Sequence, residues 1–167
     1  MKTLLLVRHG NSAMEDAAVS DQERVLSPSG KKETSLMAGF LSERNISPDL
    51  IISSHATRAF ETAVILAESL GYQRHEILIE SKVYHNTGEG LYNLIFALPD
   101  DKDCVMIVGH NPAITQLLNT FLPARTDYLP TAAVARVVIQ TGKWEALPLA
   151  DKEIDFVMHP AILNNQY

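Results

Sequence analysis

The chain has 167 residues, 46% of them hydrophobic and 20% charged, a balance ordinary for a soluble globular protein and a length that fits one domain. Fourteen basic against twenty acidic residues give a formal charge of −6, which argues against a generally basic nucleic-acid-binding surface. The single cysteine, Cys104, excludes an internal disulfide and any multi-cysteine metal site, and its apolar setting reads as a packed thiol.

Before the first strong charge the N-terminus carries one lysine and a short apolar run. That run is too short for a signal peptide or a bilayer span, so a cytoplasmic location without a membrane partner is expected. No fixed-period repeat or low-complexity tract appears. The expectation is one domain over 1–167, with 148–167 left as a tail of weak periodicity in which Ile154, Phe156 and Val157 are able to pack back.

Thr3–Arg8 reads as the first strand, with Leu4, Leu5, Leu6 and Val7 continuous, as in a central strand covered on both faces. Ser27-Pro28 offers an N-cap and a first-turn proline, and Leu36, Met37, Phe40 and Leu41 continue at helical spacing. Leu50-Ile51-Ile52 reads as the second strand. A helix follows with Ala59, Ala63, Leu66, Ala67 and Leu70 on one face, ended by Gly71. Glu76–Glu80 fits a short strand, and Leu91, Leu94, Ile95 and Leu98 mark a helix stopped by Pro99. Cys104–Val108 is another continuous apolar strand, after which Asn111-Pro112 caps a helix carrying Ile114, Leu117, Leu118 and Phe121. Val134–Gln140 and Lys143–Leu147, divided by Thr141-Gly142, are expected to pair as a closing hairpin.

Strands alternating with helices imply right-handed crossovers and an α/β fold, a three-layer α/β/α arrangement around a mostly parallel sheet. Ligands of such sheets bind beyond the carboxyl ends of the strands. Arg8-His9 lies just past the first strand, Arg58 in the first turn after the second, and Gly109-His110 just past the Cys104–Val108 strand. Three separate segments therefore bring polar groups to one edge.

Two arginines and two histidines, with no acidic residue at those strand ends, suit a tetrahedral oxyanion such as phosphate. Arginine presents a rigid fork of donors and stays charged at any working pH. Helix N-termini after the second strand and after His110 add backbone N–H groups, and Gly10 and Gly109 let the backbone turn sharply beside the ligand. The arginines would repel a metal cation, so neither a metal nor another cofactor is expected. A neutral imidazole nitrogen at this edge is also able to attack phosphorus, provided its other nitrogen is tied to a fixed acceptor.

"VRHG" at 7–10, "RVLSPSG" at 24–30, "SSHATRAFETA" at 53–63 and "VGHNP" at 108–112 resemble the histidine phosphatase superfamily in order and approximate spacing. The short length and the "RVLSPSG" block resemble its small phosphohistidine phosphatases of the SixA type, and the likeness runs to about Val138. The resemblance implies a phosphoglycerate mutase-like fold, with His9 as nucleophile and Arg8, Arg58 and His110 as phosphate-pocket residues. It also implies no metal, and a protein bearing phosphohistidine as substrate. Arg24, in the second block, is read either as a ligand contact or as half of a structural ion pair. His55 stands where relatives often carry proline, and either touches the ligand or starts the helix.

Larger members of the superfamily carry an additional acidic proton donor, often on an inserted segment, and no equivalent insertion is found in this sequence. Glu15, Asp16 and Glu89 are the nearest acidic candidates. Glu61 is expected to orient a neighbour, and His75, His85 and His159 to lie on the surface. An imidazole leaving group needs little proton help, which favours the phosphohistidine substrate. The alternatives are a phosphatase of small phosphoesters or phosphoanhydrides, which needs one of those acids within reach, and a phosphate-binding module without turnover.

Overall fold

The computed structural model describes residues 1–13, 18–85 and 87–166. Six strands form one sheet: β1 (Lys2–Arg8), β2 (Leu50–Ser53), β3 (Leu78–Ile79), β4 (Cys104–Gly109), β5 (Val134–Ile139) and β6 (Lys152–Met158), in the spatial order β3-β2-β4-β1-β5-β6. The first four are mutually parallel, and β5 and β6 add an antiparallel edge.

Strand β1 lies between β4 and β5, and its run from Leu4 to Val7 is buried on both faces. Its side chains alternate between two cores. Leu4 and Leu6 join Val105, Ile107, Ile114 and Leu117 on the face covered by α4 (Gly88–Phe96) and α5 (Ala113–Asn119). Leu5 and Val7 join Met106, Val108, Met37, Leu41, Ala63 and Leu66 on the face covered by α1 (Pro28–Glu43) and α2 (Thr57–Ser69). Leu4, Leu5 and Leu6 are fully buried, each contributing about 1.5–3 kcal/mol of transfer free energy.

The expected helix signals act where they stand in the sequence. Ser27 caps α1 by accepting from the Gly30 N–H, with Pro28 in the first turn. Gly71, at φ +72°, turns the chain after α2 in the left-handed region that suits glycine. Two short pieces of the middle differ from expectation in extent. Within Glu76–Glu80 only Leu78–Ile79 pairs as strand, because Arg74–Glu76 is taken by a 3₁₀ turn. A one-turn helix, α3 (Lys82–His85), precedes α4. Leu98 and Phe121 lie just past the ends of α4 and α5 and pack against the core from there.

The closing hairpin is corrected. Residues 143–147 do not pair with β5: Trp144–Ala146 is a 3₁₀ turn whose Trp144 is fully buried. That indole is held by two bonds to the loop before β4. Its Nε1–H donates to the Lys102 carbonyl at 2.9 Å, and its backbone N–H donates to Asp100 Oδ1 at 3.0 Å. The true partner of β5 is β6, which begins five positions past Leu147 and reaches it through a bulge that sets Asp155 against Arg136 at 2.7 Å. A final helix, α6 (Pro160–Asn164), packs Leu163 against α1. Among the described residues, no helix is long and apolar enough to cross a membrane.

Strand β6 is anchored by Phe156, edge-on to Phe40 of α1 at 5.2 Å. Phe156→Ala is expected to cost about 2 kcal/mol in urea unfolding, reduced from a core value because the ring is half-buried. A wild-type midpoint would show that the tail merely rests on β5.

Candidate active site

The ends of β1, β2 and β4 meet through backbone bonds that fix three segments together. His9 N–H donates to the Gly109 carbonyl at 3.1 Å, Ser54 N–H to the Val108 carbonyl at 3.1 Å, and Arg8 N–H to the Ala133 carbonyl at 3.1 Å. The His9 carbonyl accepts from Ala132 at 3.0 Å, where Ala132 holds a left-handed φ of 60°. A buried non-glycine residue in that region costs about 1 kcal/mol, so the surrounding packing enforces it.

Gly10 is required by close approach. A Cβ there would stand 2.6 Å from Thr34 Oγ1 and 3.0 Å from the Gly30 carbonyl oxygen. Without one, the loop seats against α1 while the Gly10 N–H donates to Thr62 Oγ1 of α2 at 2.9 Å. The Gly10 carbonyl oxygen then faces back to His9 Nδ1 at 2.6 Å. An oxygen only accepts, so Nδ1 carries the proton and Nε2 keeps its lone pair. Arg58 Nε–H donates toward that lone pair at 3.4 Å.

His110 is fixed in the same manner. Its Nε2 lies 2.8 Å from Ser54 Oγ, and Arg58 Nη2 faces its Nδ1 at 3.4 Å. With Arg58 donating to Nδ1, Nε2 holds the proton and gives it to Ser54 Oγ, which also accepts the Ala56 N–H. The two imidazoles stand 5.0 Å apart with Arg58 bridging them. His9, Arg58 and His110 are buried, and Arg8 is half-buried. Arg8 Nη1 donates to the Leu129 carbonyl at 2.8 Å, while its Nε is buried without a partner.

Both histidines are held neutral. Burial carries His9 from 6.5 down to about 4; the bond to the Gly10 carbonyl opposes it, and the charges of Arg58, Arg8 and Arg24 add to it. Burial, then His9 and Arg58, carry His110 to about 3. Every charged group that shifts His9 is a cation, whereas at His110 the Asp21 carboxylate opposes the downward shift without reversing it.

The sequence-expected set of Arg8, His9, Gly10, Arg58 and His110 thus comes together at one sheet edge. Arg24 lies close enough for its charge to reach His9, with its guanidinium on Ser12 Oγ at 2.7 Å and 3.7 Å from Asp21. His55 lies in the loop just before α2, whose N-cap is Ala56, and meets the ring of Tyr84. Glu61 orients a neighbour, accepting from the Leu26 N–H at 2.7 Å. Glu89 is exposed in the first turn of α4, beside a groove shared with Tyr92 and Gln116. Glu15 and Asp16 lie outside the described residues.

Three site residues escaped sequence reasoning. Asp21 arrives from a 3₁₀ turn between β1 and α1 and takes both terminal nitrogens of Arg58, Nη1 on its carbonyl at 2.6 Å and Nη2 on its carboxylate at 3.1 Å. Tyr84 donates its hydroxyl to the same carboxylate at 2.6 Å, and this bond, with Arg58, holds Asp21 below the usual carboxylate range. Ser54 is the third. It lies inside the "SSHATRAFETA" block, which was the available signal, whereas Asp21 and Tyr84 reach the site only through tertiary packing. Among the described residues, no three histidine, cysteine or carboxylate groups converge as a metal site.

A sequence profile of the histidine phosphatase superfamily, branch 1, matches residues 4–91, more than half of the chain. The chain belongs to that superfamily. An uncharacterized chloroplastic protein of Arabidopsis thaliana is 32% identical over 153 residues, covering 86% of this chain and 69% of its own length. The phosphohistidine phosphatase SixA of Escherichia coli strain K12 is 25% identical over 152 residues, covering 87% of this chain and 93% of its own. A structure of the protein histidine phosphatase SixA complexed with tungstate superposes with a TM-score of 0.80 at 22% identity, covering 96% of this chain and 99% of that one, a likeness of fold. The six-stranded sheet flanked by helices is accordingly phosphoglycerate mutase-like, and membership of the superfamily supports phosphatase activity.

The neutrality of the two imidazoles is measurable by histidine NMR. His9 and His110 are expected to titrate near 4 and near 3, and a midpoint at an ordinary 6.5 for either would contradict the geometry described. The sign for stability follows. Unfolded histidine takes up its proton near 6.5 and the folded groups only well below, so these two contribute full stability above 6.5 and lose it as pH falls through 4.

Proposed function

We propose that the protein is a metal-independent phosphatase that forms a covalent phosphohistidine on His9 and takes its phosphoryl group from phosphohistidine on another protein. The observation that carries this reading is the fixed tautomer of His9: Nδ1 bound to the Gly10 carbonyl at 2.6 Å, with Nε2 unprotonated and facing Arg58. A binding module needs donors at this position, and an unprotonated imidazole nitrogen is the reverse of a donor.

In the first step the Nε2 lone pair forms the N–P bond as the bond from phosphorus to the leaving nitrogen breaks. The leaving imidazole departs neutral once its other nitrogen has taken a proton from solvent. Arg8, Arg58 and His110 hold the phosphoryl oxygens, and a phosphoryl dianion beside His110 favours its protonated form. In the second step water attacks phosphorus, the His9 N–P bond breaks, its electron pair returns to Nε2, and the water's proton leaves with phosphate or solvent.

Among the described residues, the carboxylate bonded into this cluster is Asp21, held by Arg58 and Tyr84, and its lowered pKa makes it a poor acid. That supports a substrate whose leaving group asks little of a proton donor. The resemblance to SixA at 25% identity supports the same substrate class.

Incubation with a ³²P-phosphohistidine protein is expected to leave acid-labile label on the chain and release phosphate. His9→Ala is expected to lose the label and on the order of a thousandfold in rate. A marked preference for a sugar phosphate over the phosphohistidine protein, or label retained by His9→Ala, would overturn the reading.

A further inference from the structure

Beside the phosphate cluster stands a patch of aromatic rings that the proposed chemistry does not use. Tyr84 is its hub. Its ring lies edge-on to His110 at 5.2 Å, 4.9 Å from His55, and edge-on to His85 at 4.6 Å, while His55 and His85 are 5.7 Å apart. The rings come from the loop after β2, from α3 and from the loop after β4. The 2.6 Å bond from the Tyr84 hydroxyl to Asp21 limits rotation of its ring.

Exposure is graded along the patch: His110 is buried, His55 and Tyr84 are half-buried, and His85 is exposed. The rings therefore run from the surface to the imidazole that stands 5.0 Å from His9. His55 adds a second observation. Its Nδ1 is buried without a hydrogen-bond partner. A bare lone pair is less costly to leave unpaired than an N–H, so a proton sits on Nε2 and the ring offers a donor on its other side. An N-phosphorylated imidazole has one free ring nitrogen, an acceptor, and an aromatic face and edge for offset or edge-on contact.

We propose that Tyr84, His55 and His85 form a leaving-group subsite that selects a planar aromatic ring, an imidazole in the reading given above, on which this inference rests. Tyr84 also acts at a distance through its hydroxyl, by holding Asp21 against Arg58, and its ring and hydroxyl have separable effects.

The test compares two small N-phosphorylated probes, phosphoimidazole and phosphoramidate, which share the P–N bond but differ in the ring. The readout is the ratio of their kcat/KM values, which does not depend on how much of a variant is folded. In the double variant His55→Ala, His85→Ala the ratio is expected to fall about three- to tenfold, the range that an aromatic contact gives, chiefly through KM for phosphoimidazole. Tyr84→Phe, which keeps the ring, is expected to slow both probes and leave the ratio near wild type. An unchanged ratio in the double variant would overturn the subsite while leaving the phosphatase reading in place. Turnover of neither probe by the wild type would instead remove the phosphatase reading, and the subsite with it.

Discussion

The hydrogen bond from His9 Nδ1 to the Gly10 carbonyl oxygen, 2.6 Å long, decides which nitrogen of His9 is free. It depends on a residue without a side chain. Any Cβ at position 10 would meet Thr34 Oγ1, and the loop would no longer seat its N–H on Thr62 and its carbonyl on His9. The same peptide segment thus ties β1 to α1 and α2 and selects the tautomer. Burial among arginines completes the effect, since an imidazolium at this point would be surrounded by like charge.

Arg58 is the link between the two imidazoles and the rest of the site. It faces His9 with Nε and His110 with Nη2, and it is itself anchored by Asp21, which Tyr84 holds from the far side. A carboxylate so engaged balances part of the site's positive charge without standing free as a proton donor. In the proposed mechanism this arrangement holds an oxyanion against an unprotonated nitrogen, a task in which placement and charge supply most of the catalysis. The aromatic patch continues the same arrangement outward, because Tyr84 belongs to both networks.

Most of the sheet and the central cluster were legible from sequence because they rest on local and periodic signals. The unbroken run from Leu4 to Val7 marked a strand buried on both faces, and the rule that ligands gather at strand carboxyl ends brought Arg8, His9, Arg58 and His110 together without any contact being known. Ser27-Pro28 and Gly71 marked helix ends with equal clarity. The C-terminal third was less legible for a physical reason. Thr141-Gly142 looks like a hairpin turn, but burying Trp144 against the loop before β4 yields more than pairing 143–147 would, and the strand that pairs with β5 is displaced past it. Asp21 and Tyr84 carry no local mark of their roles, since their bonds to Arg58 and to each other span 37 and 63 positions of sequence.

The most direct test of the central claim is a crystal structure of the wild-type chain with vanadate or tungstate bound. The metal atom is expected in line with His9 Nε2, with its oxygens on Arg8, Arg58 and His110. An oxyanion bound elsewhere, or one that approaches His9 from the Nδ1 side, would contradict the account.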